Sequence, residues 1–369
     1  MRVLIKVLAV ATLFASGIFY PIAEISSLPG TPSAFTGIEK PHVRASLVRP
    51  LAQQGRFPER VGFRTAYGDL VGAVSYTLDP RMQDVAERLL QRYRPDYAAV
   101  VAIEPHSGRV LALSGYSRDD DGFGNIALLS SYPAASILKV ITAAAAIDQG
   151  IATPRTEVPY NGRPTTLFRR DVLEHRDNQW TNRPSLQTAF ARSVNTAFGR
   201  LGIYYVGGET LYNYAVRFGF DQGLDTDLPT DSGRILLDLE DTWAIAEAAS
   251  GYTREVTLSP LHGAMIAAAV INGGVMVEPY LVEAIHGEVG TLMYHASDNR
   301  AIWQAISPEA AEGMLELMRE TVRSGTGRQY FRDFHRGAYA DVDVGGKTGS
   351  LTGMNPRGRN EWFIAYGAR

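Results

Sequence analysis

The 369-residue chain is predicted to fold as an α+β domain, an antiparallel sheet flanked by helices with an all-helical subdomain. Three observations predict this. "YAAVVAIEPHSGRVLALSGYS" reads as two β-prone apolar runs joined by a Pro-His-Ser-Gly turn, an antiparallel hairpin. The segment from about Ser130 to Gly223 is mostly helical in pattern. Two further strand-like runs, "ADVDVGGKTGS" and "EWFIAYGA", close the chain.

Individual elements follow from local signals. In "YTLDPRMQDVAERLLQRY", Asp79 is an N-cap and Pro80 suits the first helical position. Met82, Val85, Ala86, Leu89, Leu90 and Tyr93 then recur at helical spacing and predict one apolar face. "SPLHGAMIAAAVINGG" opens a helix near Pro260 and ends it at Gly273-Gly274, and "SPEAAEGMLELMRETVRSGTG" is a helix closed by Gly325. There is no internal repeat.

Composition removes several classes of function. Lys and Arg number 36 against 39 Asp and Glu, a net charge of −3 without a dense basic cluster, so no nucleic-acid partner is expected. The absence of cysteine excludes disulfides, thiolate metal sites and a Cys nucleophile. The seven His show no His-x-x-x-His or His-Glu-x-x-His pairing, so no metal or other cofactor is expected.

At the N-terminus, Arg2 and Lys6 precede an uncharged run from Val7 to Ala23. Residues 1–25 fit two exported readings: an uncleaved single-pass anchor with its N-terminus in the cytoplasm, or a signal peptide cut near Ala15-Ser16-Gly17. Either places the rest of the chain outside the cytoplasm, on the periplasmic face of the inner membrane for the anchor. Residues 26–70, rich in Pro, Ser and Gly without sustained period, are expected to be a linker, and residues 71–369 the domain proper.

Three short motifs carry the chemistry. Ser136-Ile137-Leu138-Lys139 comes first, Ser193-Val194-Asn195 stands 57 residues on, and Lys347-Thr348-Gly349-Ser350 a further 154. On a helix, Ser136 and Lys139 share a face. By themselves they read as a capped helix with a lysine stem along its side. A serine hydroxyl becomes a nucleophile once a base takes its proton, and lysine can be that base if burial and a second cation lower its pKa. Ile137, Leu138, Val140 and Ile141 supply apolar surroundings and Lys347 the second cation. Ser193 can relay a proton, Asn195 can bind a substrate amide, and Thr348 or Lys347 can hold a carboxylate. A strand bearing Gly349 allows close approach of an extended peptide. A phosphate loop is excluded at "GGKTGS", because that pattern needs Gly where Asp341 stands. Gly325-Thr326-Gly327 reads as a helix stop.

In this order, the three motifs resemble the transpeptidase domain of penicillin-binding proteins, the penicilloyl-serine family. "PSLQTAFARSVNTAFGRLG", "VRFGFDQGLDTDLPTDSG", "TLSPLHGAMIAAAVINGGVMVEPYLV" and "NEWFIAYGA" are similar to the family as well, so the likeness runs from about Ser75 to the C-terminus. The resemblance implies the β-lactamase/transpeptidase-like fold. It implies Ser136 as acylated nucleophile, Lys139 as base, Ser193 and Asn195 as second motif, and Lys347, Thr348 and Gly349 as third. The oxyanion hole would use the N–H groups of Ser136 and Ser350.

The implied reaction is attack on a D-Ala-D-Ala bond of peptidoglycan stem peptides, with β-lactams as inhibitors and cell-wall assembly proteins as possible partners. A serine β-lactamase or D,D-carboxypeptidase is the alternative enzyme, and a non-catalytic β-lactam sensor or scaffold the alternative outside enzymes. The long second interval and the lack of a Glu-x-x-Leu-Asn element after Ser193 count against the lactamase. Two departures stand out. Ala135 takes the place of the family's usual Gly, and Ser350 that of a common Thr. A further strand and a helix are expected after "EWFIAYGA", so a chain stopping at Arg369 is read as C-terminally truncated, with an incomplete sheet.

Overall fold

A computed structural model describes residues 4–12, 38–52, 57–65, 68–118, 125–174, 177–297, 300–332, 334, 339–354 and 357–369. Its strands are β1 (Leu4–Thr12), β2 (Arg60–Thr65), β3 (Gly68–Tyr76), β4 (Tyr97–Ile103), β5 (Val110–Ser117), β6 (Tyr132–Pro133), β7 (Arg234–Ile235), β8 (Val256–Leu258), β9 (Val275–Val277), β10 (Val282–His286), β11 (Leu292–His295), β12 (Ala301–Gln304), β13 (Asp343–Met354) and β14 (Arg357–Ala368). The helices are α1 (Lys40–Ala52), α2 (Pro80–Tyr93), α3 (Leu138–Asp148), α4 (Arg169–Leu173), α5 (Leu186–Ala191), α6 (Asn195–Leu201), α7 (Gly208–Arg217), α8 (Thr242–Ser250), α9 (Pro260–Ile271) and α10 (Pro308–Arg323).

The main sheet has the order β13-β14-β1-β4-β5. The predicted hairpin is β4–β5, and the two closing strands are the antiparallel pair β13–β14. The helical block, α3 to α7, lies between the two halves of the sheet in sequence, as the pattern implies. The α+β class stands, with one difference in the sheet. Strand β1 runs parallel to both β14 and β4, from Leu4↔Arg359 to Thr12↔Gly367 on one side and Ile5↔Tyr97 to Ala11↔Ile103 on the other. Part of the segment expected to be an anchor or signal peptide is therefore strand, and the five strands are continuous. Pairing on both edges satisfies its backbone groups within the sheet. Residues 1–3 and 13–37 of the anchor and linker segments lie outside the described residues. Among the described residues no helix is long and apolar enough to cross a membrane.

The linker expectation needs correction over residues 40–70, which hold α1, β2 and the start of β3. The physical reason is a stripe at i, i+4 and i+8: Val43, Leu47 and Leu51 are all buried. Outside, Lys40 and Arg44 pair with Asp225, and Lys40 also with Glu278. A second correction concerns α2. Asp79 caps it as expected, accepting from the N–H groups of Arg81 and Met82. Of the predicted apolar face, however, only Ala86 and Leu90 are buried, while Val85, Leu89 and Tyr93 remain exposed. The helix rests on β5 and β4 at one end of the sheet, which covers one edge of the stripe.

Helix α9 packs under the centre of the sheet, against β1, β4 and β14. Ser259 caps it and Gly273 and Gly274, both at positive φ, end it. Its His262 is fully buried. Nδ1 accepts from Gly233 N–H and Nε2 donates to the Phe218 carbonyl, which fixes the neutral tautomer. Burial pushes this ring down to about 4. The unfolded chain takes up that proton near pH 6.5, so the contribution is complete above 6.5 and is lost as pH falls through 4. The urea midpoint of the wild type should therefore drop more between pH 7 and 4.5 than that of His262→Gln. Buried Asp227, pushed up to about 6, acts in the opposite direction and cancels in the comparison.

Candidate active site

The site is built around the N-terminus of α3. Residues Ala135–Ile137 form a 3-10 turn that feeds α3, so Ser136 sits where the helix begins. Helix α3 is buried on every side from Leu138 to Ala146, which makes it the central helix of the domain. Lys139 is buried with it, 0% exposed. The approach to Ser136 is pinned by neighbours. Trp362 Nε1 on β14 donates to the Pro133 carbonyl at 2.9 Å, and Ala134 N–H donates to the Val256 carbonyl at 2.8 Å. Ala135 holds φ +50°, a left-handed conformation that suits the glycine it replaces.

Lys139 Nζ lies 2.9 Å from Ser136 Oγ, 2.7 Å from Asn195 Oδ1, and in contact with the Ser250 carbonyl. Burial, and next the charge of Lys347, hold its pKa well below that of an ordinary lysine. A neutral amine fits this geometry. Deprotonated, it would keep two N–H groups for the Asn195 and Ser250 oxygens and turn its lone pair to the Ser136 hydroxyl. Asn195 is oriented by Nδ2 donating to the Thr165 carbonyl at 2.8 Å, which leaves one Nδ2 hydrogen for a substrate carbonyl.

Lys347, on β13, is likewise 0% exposed, and burial lowers it to about 7. Its Nζ donates to Ser193 Oγ at 3.0 Å and to the Thr348 carbonyl at 2.8 Å. The structure thus brings the three motifs together as two pairs, Ser136–Lys139 and Ser193–Lys347, coupled by charge. Among the described residues no hydrogen bond joins Ser193 to Ser136, so the relay suggested by the sequence is not made in this state. Strand β13 runs close beside Ser136. A Cβ added at Gly349 would lie 3.3 Å from Ile137 Cγ1 and 3.4 Å from Ala135 Cβ, so glycine lets the strand meet the turn that carries Ser136. Ser350 Oγ accepts from Arg359 Nε at 2.7 Å.

Two contributors are invisible in the motifs. The Ser250 carbonyl ends α8, and Gly251 turns the chain at φ +66° directly against Ala135. Sequence shows only a helix-ending Gly there. The second is Thr326, read above as part of a helix stop. Its Oγ1 meets Thr348 Oγ1 at 2.5 Å, and its N–H donates to the Ala191 carbonyl at 3.0 Å. The loop therefore ties the end of α5, beside Ser193, to the third motif. Thr326→Val removes the partner of the Thr348 hydroxyl. It also removes the 3.3 Å bond from Oγ1 to the Ala191 carbonyl, so about 0.5–1.5 kcal/mol of folding stability and a tenfold fall (about 1.4 kcal/mol) in the second-order rate of β-lactam acylation are expected. An unchanged rate would show that Thr348 needs no such support.

Residues 98–368 match the penicillin binding protein transpeptidase domain, and the chain belongs to that family. It is 31% identical over 336 residues to peptidoglycan D,D-transpeptidase PbpA of Mycolicibacterium smegmatis, an alignment covering 80% of this chain and 64% of that protein. The PbpA of Mycobacterium tuberculosis strain H37Rv is 28% identical, over 95% of this chain and 74% of that one. Among solved structures, PBPA from M. tuberculosis superposes with a TM-score of 0.67 at 30% identity, covering 80% of this chain and 73% of that one. A ceftriaxone acyl-enzyme complex of penicillin-binding protein A from M. tuberculosis matches at TM-score 0.67 and 29% identity, over 80% and 71% of the two chains.

Proposed function

We propose that this protein is a serine D,D-transpeptidase that cross-links peptidoglycan stem peptides through an acyl-enzyme and is inhibited by β-lactams. The observation that carries the reading is the buried Lys139 amine, 2.9 Å from Ser136 Oγ and depressed by burial and Lys347. In this reading Lys139 takes the Ser136 proton as Oγ attacks the D-Ala carbonyl. The N–H groups of Ser136 and Ser350 receive the oxyanion. Asn195 gives its spare Nδ2 hydrogen to the substrate amide. Lys347, with Thr348 and Gly349, holds the terminal carboxylate and strand, and Ser193 passes a proton toward the leaving amine. An acceptor amine then resolves the acyl-enzyme.

The test is incubation with a D-Ala-D-Ala stem-peptide mimic and an amine acceptor. Cross-linked product with released D-Ala supports the proposal. Hydrolysis alone indicates a carboxypeptidase, rapid β-lactam turnover a lactamase, and stable acylation without D-Ala release a sensor. The pH profile carries a second prediction. The second-order acylation constant should rise as Lys139 loses its proton and fall as Lys347 loses its own, at about pH 7. A rate that keeps rising through pH 9 would contradict a cationic role for Lys347.

Peptidoglycan peptides lie outside the cytoplasm, so the domain is placed on the periplasmic side of the inner membrane, with cell-wall assembly proteins as partners. Arg2, Lys6 and the uncharged run that follows support export. Residues 4–12 serve as β1 or within a membrane span, not both in one molecule. An intact N-terminus in the alkali-washed membrane fraction identifies the anchor, and an intact N-terminus in the soluble periplasmic fraction identifies the strand.

A further inference from the structure

Three short segments frame the mouth of the cleft beside Ser193: 160–166, 191–196 and 325–330. The first is laid along the second motif by hydrogen bonds. Asn195 N–H donates to the Pro164 carbonyl at 2.7 Å, and Thr196 Oγ1 to the Arg163 carbonyl at 3.1 Å. The third is joined to the second where Thr326 N–H meets the Ala191 carbonyl. Together they hold three exposed arginines, Arg163, Arg192 and Arg328, and no Asp or Glu. Among the described residues none of these three guanidinium groups makes an ion pair or a side-chain hydrogen bond. Asp171, which packs against Gly162, is already paired with Arg170 at 3.3 Å. Arg192 lies close enough to Tyr160 to oppose the rise that burial gives its phenol, which sets it on the 160–166 side of the mouth.

Unpaired cations around a cleft attract an anion and raise its local concentration. These charges sit where the second half of the proposed reaction takes place. In the mechanism above, D-Ala departs with its amine on the Ser193 side and its carboxylate at Thr348. The acceptor amine enters by the path along which that amine left, because both steps pass through the same tetrahedral geometry at the acyl carbon. Its nitrogen bonds to the acyl carbonyl, the bond to Ser136 Oγ breaks, and the proton the nitrogen loses returns to Oγ through Lys139. The remainder of the acceptor then leads outward past Ser193 and Thr326, into the space the three arginines border.

We propose that Arg163, Arg192 and Arg328 form an acceptor subsite that selects an amine whose chain carries a free carboxylate beyond the one at the reacting carbon. An acceptor with that carboxylate amidated loses the attraction, and water, which competes for the same acyl-enzyme, is favoured instead. A role confined to the end of α5, which Arg192 follows, would leave the choice of acceptor untouched. The inference rests on the transpeptidase reading and extends it to the second substrate.

The experiment uses the full chain with N-benzoyl-D-alanyl-thioglycolate as donor, whose leaving thiol carries a carboxylate as D-Ala does. D-glutamate, D-glutamine and D-alanine each compete with water for the acyl-enzyme, and the ratio of amide to hydrolysed product is read by mass. That ratio counts only molecules already acylated, so an unfolded fraction does not enter it. Transfer to D-glutamate should exceed transfer to D-glutamine about fivefold at low salt, about 1 kcal/mol, and by less than about twofold at about 0.5 M salt. Arg163→Gln, Arg192→Gln and Arg328→Gln together should abolish the advantage, and the three Arg→Lys substitutions together should keep it. With D-alanine transferred, three results would each overturn the subsite alone: equal transfer of the other two by the wild type, an advantage that survives the Gln substitutions, or its loss with Lys as well. Hydrolysis alone with every amine would overturn the transpeptidase reading, and the subsite with it.

Discussion

Replacing Lys139 with Arg is expected to lower the rate of Ser136 acylation by roughly a thousandfold, within the range that removal of a general base produces. The guanidinium keeps the positive charge and much of the length, but it does not give up its proton in a protein. In the proposed mechanism Lys139 acts as base only in its neutral form. Lys139 is wholly buried, next to a second buried lysine, and its two amine hydrogens have acceptors in Asn195 Oδ1 and the Ser250 carbonyl. An arginine there also forces a fixed charge among Ile137, Leu138 and Val140, so stability should fall as well. Lys139→Met separates the two effects. It removes both charge and base, restores apolar packing, and should be as slow as Arg while melting closer to wild type. Measured rates within tenfold of wild type for either variant would remove Lys139 from the role of base.

The second large effect is expected at Gly251, far from any motif in sequence. A Cβ there would stand 1.9 Å from the Ala135 carbonyl oxygen, 2.5 Å from its carbon and 3.0 Å from Ser136 N. All three are backbone atoms, so no side chain can swing aside, and φ is +66°. Gly251→Ala combines a left-handed alanine with a displaced active-site turn, and should cost about 2–4 kcal/mol of folding stability. Because Ser250 precedes it, the carbonyl that holds Lys139 should move too. Urea denaturation and the acylation rate of the still-folded fraction read the two consequences separately. A variant with wild-type midpoint and rate would show that the turn tolerates a shift the geometry forbids.

Much of this site was legible in the sequence because its chemistry sits in side chains at short, fixed spacing. Ser136 and Lys139 share a helix face wherever that helix forms, and the apolar residues around them announce burial. The pairing of Lys347 with Ser193 across 154 residues was legible only through motif order. What escaped was backbone and context. The Ser250 carbonyl carries no mark in sequence, and Thr326 looked like punctuation because Gly flanks it on both sides. The fold shows the same division. Capped, periodic α2, α9 and α10 were readable from their first turns. Helix α1 hid its Val43-Leu47-Leu51 stripe among Pro, Ser and Arg, and α2 advertised a wider apolar face than β4 and β5 cover. No local pattern says that Leu4–Thr12 pairs with strands about 90 and 350 residues away, because the partner of a strand is set by tertiary context.

In the proposed reaction Ser136 is the nucleophile that β-lactams acylate. The most direct measurement is intact-mass analysis of the folded chain after benzylpenicillin, with peptide mapping of any adduct and Ser136→Ala in parallel. A single, stable penicilloyl group on Ser136, absent from folded Ser136→Ala, is the predicted result. An adduct on another residue, or none on a wild-type chain shown to be folded, would contradict it.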